Sequence, residues 1–454
     1  MNITGLSIVY GGSTALDSLA AQAHGAKNYS LVGLWTLRFM CIVSLMCVPI
    51  CAAWFFGCAP VLRAIGIDNR TAALSQKFAR VYTLWMWPTF ANRGFQSFLR
   101  AQGQVRFVSV ATVIGLAVHV PTTWALVQLL GFEGAPLALA LNAWFVFFML
   151  LAYVRLNAKA QRCWPELGGG SGNEWRELLR GWGILLRMGA AGAAAMMGVW
   201  WSWELLSGMA GILGEVSLAA HVAMQQFGMF FFPFFLGGAM AATARVGNLL
   251  GAGDPKRARV CAKAALLGTT TVMGTILTSV IVLRNRFAYV YTEDERVVKL
   301  AANVAWFFVF NQFITCQSVV LQGVLTGCGR QAVNAKVALF ASYCVGIPSS
   351  VTLCFYFGHG VVGLWAGERG FPFPVRYTQY VYLTGKGHMH GLRMAYLTGK
   401  RSWVGLGLGQ CVRAGILHNL VWRRSDWAEL SKQARKRANA APRLQASPRA
   451  SAKP

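Results

Sequence analysis

Two carboxylates, Glu204 and Asp17, fall inside long apolar stretches; every other acidic residue lies in a polar connection, in the segment 368–403 or in the C-terminal tail. Placing a carboxylate in a bilayer costs about 2.5–3.5 kcal/mol, so such a residue faces a cavity and handles a proton, an ion or a cationic solute. Glu204 closes the run Trp200-Trp201-Ser202-Trp203-Glu204. Helical spacing sets Trp200 and Trp203 on the side of Glu204 or next to it, whereas Trp201 points elsewhere. Indole faces beside a carboxylate suit a flat or quaternary organic cation. Gln225 on the following span, with Gln312 and Thr315 further along, adds polar lining to the same expected cavity. Asp17, beside Gln22 and His24, either shares the coupling role or pins a helix end. No paired nucleophile and base stands out, so the chemistry indicated is transport rather than catalysis.

The elements that must hold Glu204 are apolar runs near 182–210 and 217–245, each long enough to cross a hydrocarbon core of about 30 Å as helix. The rest of the chain has the same character. Of its 454 residues 56% are hydrophobic and only 13% charged, where a soluble domain carries about a quarter charged residues. Mean hydropathy is +0.46. Further spans are predicted near 3–22, 31–56, 72–98, 105–130, 135–155, 259–284, 297–322, 331–356 and 404–422, about eleven in all. The fold class predicted is an all-α polytopic membrane protein.

The net charge of +27 gathers in short connections and the tail. That pattern marks topology and contact with membrane lipids rather than nucleic-acid binding. Connections after the spans ending near 22, 98, 155, 245 and 322 hold fourteen Lys and Arg against eight on the opposite side. The richer side and the basic tail are therefore predicted to face the cytoplasm. The eleven cysteines show no metal-ligand pairing and read as small buried hydrophobes.

Positions also recur at one offset. Gly25 and Gly251, Leu99 and Leu325, Gly103 and Gly329, and Gly134 and Gly360 are each 226 residues apart. Two related halves follow, 1–156 and 178–424, the second interrupted at 368–403; a polar linker at 157–177 joins them and a basic cytoplasmic tail occupies 425–454. Six spans in the second half make the halves parallel, related by an axis along the membrane normal. The first half shows five, so its first helix is read as missing.

The runs ALDSLAAQAHGAK at 15–27, WWSWE at 200–204, ARVGNLLGAGDPKRAR at 244–259, GVLTGCGRQAVNAKV at 323–337, GIPSSVTLCF and GVVGLWAG within 346–367, and RRSDW at 423–427 resemble the multidrug and toxic compound extrusion (MATE) family, in its eukaryotic branch. The resemblance implies two six-helix lobes around a central cavity. It also implies export of organic cations or drug-like solutes in exchange for protons or sodium, by a monomer without a cofactor. The membrane would be the plasma membrane or that of an organelle such as the vacuole or plastid.

Two positions depart from the family. Its seventh helix resembles EWWxYE, but Val199 stands in place of the first glutamate and Glu204 alone remains. Thr315 stands where the family carries an acid in the tenth helix. Coupling then rests on Glu204, aided by Asp17, or the chain is a transport-defective relative or a mispredicted one. Segment 368–403 interrupts the twelfth helix, carries YLTGK twice with His388 and His390 between, and reads as an intervening segment carried into the chain. A lipid-linked oligosaccharide flippase is the neighbouring alternative. It requires arginines along the cleft, and the midspan charges read from the sequence are acidic.

Overall fold

The computed structural model describes residues 5–165, 177–283, 286, 295–356 and 408–439. Every described element is helical. In chain order they are α1 (Ser7–Gly25), α2 (Tyr29–Ala64), α3 (Asn69–Ala101), α4 (Val105–Leu130), α5 (Gly134–Leu156) and the short α6 (Ala158–Gln161). Then follow α7 (Trp182–Ile212), α8 (Glu215–Ala252), α9 (Pro255–Val282) and α10 (Glu295–Gly327). Next, α11 (Gln331–Leu339) continues through wider π-type turns at Phe340–Gly346 into Ile347–Val351 and Thr352–Tyr356. The last are α12 (Leu408–Trp422) and α13 (Trp427–Asn439). The segment 368–403, the middle of the linker at 166–176 and the tail beyond Asn439 lie outside the described residues.

Six described stretches are long and apolar enough to cross a membrane: Tyr29–Ala64, Val105–Leu156, Glu177–Ile212, Gly228–Ala252, Pro255–Val282 and Gln331–Tyr356. Val105–Leu156 contains both α4 and α5. Helices α1, α3, α10 and α12, also read as spans, do not meet that test; Asp17, Gln22 and His24 interrupt the first, and Lys77, Arg80, Arg93 and Arg100 the second. The exterior is apolar where a soluble protein would be charged. On α4 only Ala111 and Gly115 are buried, while Val113, Leu116, Val120, Trp124 and Leu129 stand outward. So large an exposed apolar face is a lipid-facing one, and the protein is a multi-span membrane bundle.

The interior divides into two main hydrophobic cores. One is built from α1–α5 and the residues leading into α7, centred on Leu16, Leu19, Phe90 and Phe98. The other is built from α8–α13, centred on Phe231, Phe235, Leu250 and Val324.

The 226-residue offset governs helix boundaries. Adding it to the starts of α2, α3 and α4 gives 255, 295 and 331, the starts of α9, α10 and α11; adding it to the end of α3 gives 327, the end of α10. Backbone conformation follows as well. Gly103 and Gly329, which end α3 and α10, both have φ +75, and Lys27 at φ 61 matches Gly253 at φ 88. A glycine stands at three of these four left-handed positions because it carries no Cβ penalty there. The turns before α3 and α9 are closed by side chains: Asp68 accepts from the Thr71 N–H at 2.8 Å, and Asp254 from the Arg257 N–H at 2.9 Å.

Candidate functional site

Helix α7 carries the acid, and its small residues decide which way the acid faces. Its buried stripe is Leu185, Gly189, Gly192, Ala195, Gly198, Ser202, Leu206 and Ala210, spaced by three or four. The first half packs on α1, where Gly11 meets Gly192 and Ala193, and Gly12 lies by Gly189. The second half packs on α11, with Gly198 against Leu339 and Val199 against a cluster of Ala195, Ala335 and Ala338.

Because the contact pairs run in opposite senses, α1 and α7 are antiparallel. Trp200 and Glu204 follow Ala193 by seven and eleven residues, so both return to its α1-facing side within about 20°. Glu204 stands about 16 Å further along that face. The sequence reading expected an acid buried within the bundle. Instead Glu204 is exposed. It makes no ion pair or hydrogen bond among the described residues. Trp200 and Trp203 are half-buried beside it.

The expected polar lining gathers one layer away. Gln312 on α10 is buried and donates through Nε2 to the Gly228 carbonyl of α8 at 3.3 Å. Gln225, half-buried, lies one turn before Gly228 on the same helix. Thr315 reaches the Asn311 Oδ1 of its own helix at 3.5 Å. These three share the α8–α10 layer, and no hydrogen bond joins them to Glu204.

Asp17 is engaged elsewhere. Its carboxylate accepts from Arg100 at 2.9 Å and lies 3.9 Å from Arg93. Arg100 also donates to Ser97, and Arg93 donates to Ser13 at 3.0 Å while its guanidinium covers the Tyr10 ring at 4.8 Å. The group ties α1 to α3. The reading that midspan charges are acidic is thereby corrected: Arg93, Arg100 and Arg413 are buried inside helices. Arg93 and Arg100 are seven apart, on one face of α3, which was the available signal. In the second half Asp17 maps to Thr243, which donates to the Gly323 carbonyl at 2.8 Å, so a neutral bond replaces the ionic one.

At the other end from Glu204 the two cores are sealed together. Gln22 donates to the Gly327 carbonyl at 2.9 Å, and Asn248 donates to the Ala101 carbonyl at 3.1 Å. Each pair is the other shifted by 226. A Cβ on Gly25 would overlap the Asn248 carbonyl, and one on Gly251 the Gln22 carbonyl, the same reciprocal relation. Helix α13 lies across this seam. Arg437 donates to Gln22 Oε1 at 2.9 Å and to the Cys328 carbonyl at 3.1 Å, Asn28 donates to the Ala438 carbonyl at 3.0 Å, and Ser431 donates to the Leu250 carbonyl at 3.0 Å. The sequence reading treated this segment only as a basic tail.

Comparison with known proteins agrees with this architecture. The MatE family pattern matches residues 1–125 and 192–352. Protein DETOXIFICATION 16 of Arabidopsis thaliana is 31% identical over 379 residues, covering 81% of this chain and 74% of the relative. Multidrug and toxin extrusion protein 1 of Danio rerio is 28% identical over 373 residues, covering 82% of this chain, which spans only 62% of that relative's length. The crystal structure of the eukaryotic MATE transporter AtDTX14 superposes with a TM-score of 0.80 at 26% identity, covering 96% of this chain and 88% of that one. With the family pattern spread across both halves and the fold shared nearly end to end, this chain belongs to the MATE family of membrane transporters.

Proposed function

We propose that the protein is a secondary active antiporter that exports organic cations or drug-like solutes in exchange for protons or sodium. The observation that carries this is Glu204: an exposed acid without an ion partner among the described residues, one turn from the half-buried Trp200 on the same face of α7. A charged Glu204 attracts a cation and the indole face of Trp200 adds a cation-π contribution of about 0.5–2 kcal/mol. Protonation removes the charge, so proton and solute compete for one site. Asp17 is the less suitable coupling group, since two guanidiniums already neutralise it.

The two cores are the moving bodies in this reading, one lobe from 1–156 and one from 178–424, with about eleven spanning helices between them. The seam at Gln22 and Asn248 lies at the end rich in Lys and Arg, which loop charge places in the cytoplasm. The conformation is then outward-facing, with Glu204 open to the far side. Release of the seam and closure over Glu204 would complete alternating access in the plasma membrane or an organelle membrane, by a monomer. A lipid-phosphate flippase fits less well, because Arg93 and Arg100 are both engaged by Asp17, Arg93 doing so from the wall of a cavity of about 200 Å³ shared with Tyr10, Trp85 and Asn92. Uptake of a fluorescent organic cation into vesicles under a pH gradient tests the reading. Loss of uptake in Glu204→Gln with folding intact is expected; full-rate uptake in that variant refutes it.

A further inference from the structure

Arg413 of α12 is 5% exposed. Its Nη2 donates to Gln322 Oε1 of α10 at 2.9 Å, while its Nε is buried without a partner. No carboxylate among the described residues lies within 4.0 Å of it. A guanidinium stays charged at any physiological pH, so it cannot shed the cost of burial by losing a proton. Something of opposite charge is needed nearby.

Beside Arg413 is a cavity of about 10 Å³ walled by Ser202 and Leu206 of α7, Ser342 and Gly346 of α11, and Gln410 of α12. It lies against the π-type turns at Phe340–Gly346, a widening of the helix that often marks a working site. Ser342 lines the cavity and its hydroxyl makes no hydrogen bond to a described residue. The Gln410 Oε1 is buried without a partner; turning that amide over presents its NH2 to the cavity instead. The space is that of about one water molecule, too small for an organic anion or a phosphate ester.

We propose that this cavity binds a single halide, chloride in the cell, as the counter-charge of Arg413. The ion takes hydrogen bonds from the free guanidinium N–H, the Ser342 hydroxyl and the Gln410 amide. A water molecule would satisfy the same donors but leave the charge unpaired. The site stands apart from Glu204, which lies on the opposite face of α7 from Ser202.

Equilibrium binding of radioactive chloride to the purified full chain, in gluconate buffer of constant ionic strength, tests this. One saturable chloride per chain is expected, displaced by bromide and not by gluconate, together with a chloride-dependent rise in the unfolding midpoint. Arg413→Gln should lose both effects, and Glu204→Gln should keep both, which separates this site from the coupling acid. Should Arg413→Gln fail to fold, bromide anomalous scattering from crystals of the unaltered protein locates the ion; a peak beside Arg413 supports the assignment. Absence of saturable binding, binding that survives in Arg413→Gln, or a bromide peak elsewhere overturns it and leaves water as the occupant.

Discussion

Replacing Gly25 by alanine should open the seam between the two halves at its basic end. The added methyl would occupy the position of the Asn248 carbonyl oxygen, a backbone atom that cannot swing aside as a side-chain tip can. Relief requires α1 and α8 to part. Parting breaks the two reciprocal hydrogen bonds, Gln22 to Gly327 and Asn248 to Ala101. Each amide–carbonyl bond is worth about 1 kcal/mol net, so closure loses about 2 kcal/mol, roughly a thirty-fold shift in the ratio of closed to open. The steric overlap adds to this. Spin labels on α1 and α8 near this end, read by pulsed electron resonance in vesicles, would report the change as growth of a longer distance. Gly251→Ala, the symmetry-related change, should do the same. An unaltered distance distribution in both variants would refute the view that this seam is the gate.

Arg100→Ala strips Asp17 of its closest partner and leaves a buried carboxylate facing Arg93 at 3.9 Å. A loss of about 3–5 kcal/mol is expected, seen as a lower unfolding midpoint, and Asp17→Ala combined with it should restore part of the loss. Arg437→Ala removes two bonds across the seam, to Gln22 and to the Cys328 carbonyl. Burial pushes the Cys328 thiol up to about 12 and hides it, so faster maleimide labelling of Cys328 is expected in that variant. At the start of α3 the Thr71 backbone N–H holds the Asp68 carboxyl below its usual range. A depressed folded-state pKa means the cap contributes above the unfolded value of about 3.9 and is lost as pH falls through the folded value. Hydrogen-exchange protection at Thr71 should fall over that interval, and Asp68→Ala should abolish the dependence.

The periodicities that survive in single residues were legible from the sequence. Four glycine and leucine anchors at an offset of 226 foretold the matching helix boundaries and the paired backbone angles at Gly103 and Gly329. Gly25 and Gly251 stand where α1 and α8 approach too closely for a Cβ, and Gly103 and Gly329 where the backbone turns left-handed. The phase of Trp200 and Glu204 on one helix was equally readable. The exposure of Glu204 was not, since it depends on which helices pack beside α7, a tertiary fact. Asp17 and Arg100 lie 83 residues apart, and nothing in local pattern pairs them. Arg413 sits in a span that reads as apolar, and the cost of burying it appears only once the neighbouring helices are in place. Helix α13 read as a charged tail because its buried stripe, Trp427, Leu430, Ala434 and Ala438, is short and rich in alanine.

The most direct test of the central claim is uptake of a fluorescent organic cation into vesicles containing the purified protein, driven by an imposed pH gradient, for the unaltered chain and Glu204→Gln side by side. Gradient-dependent uptake by the former and its absence in a Glu204→Gln protein of unchanged unfolding midpoint are the expected results. Equal uptake by both would contradict the coupling role of Glu204, and no uptake by the unaltered, well-folded chain would contradict antiport itself.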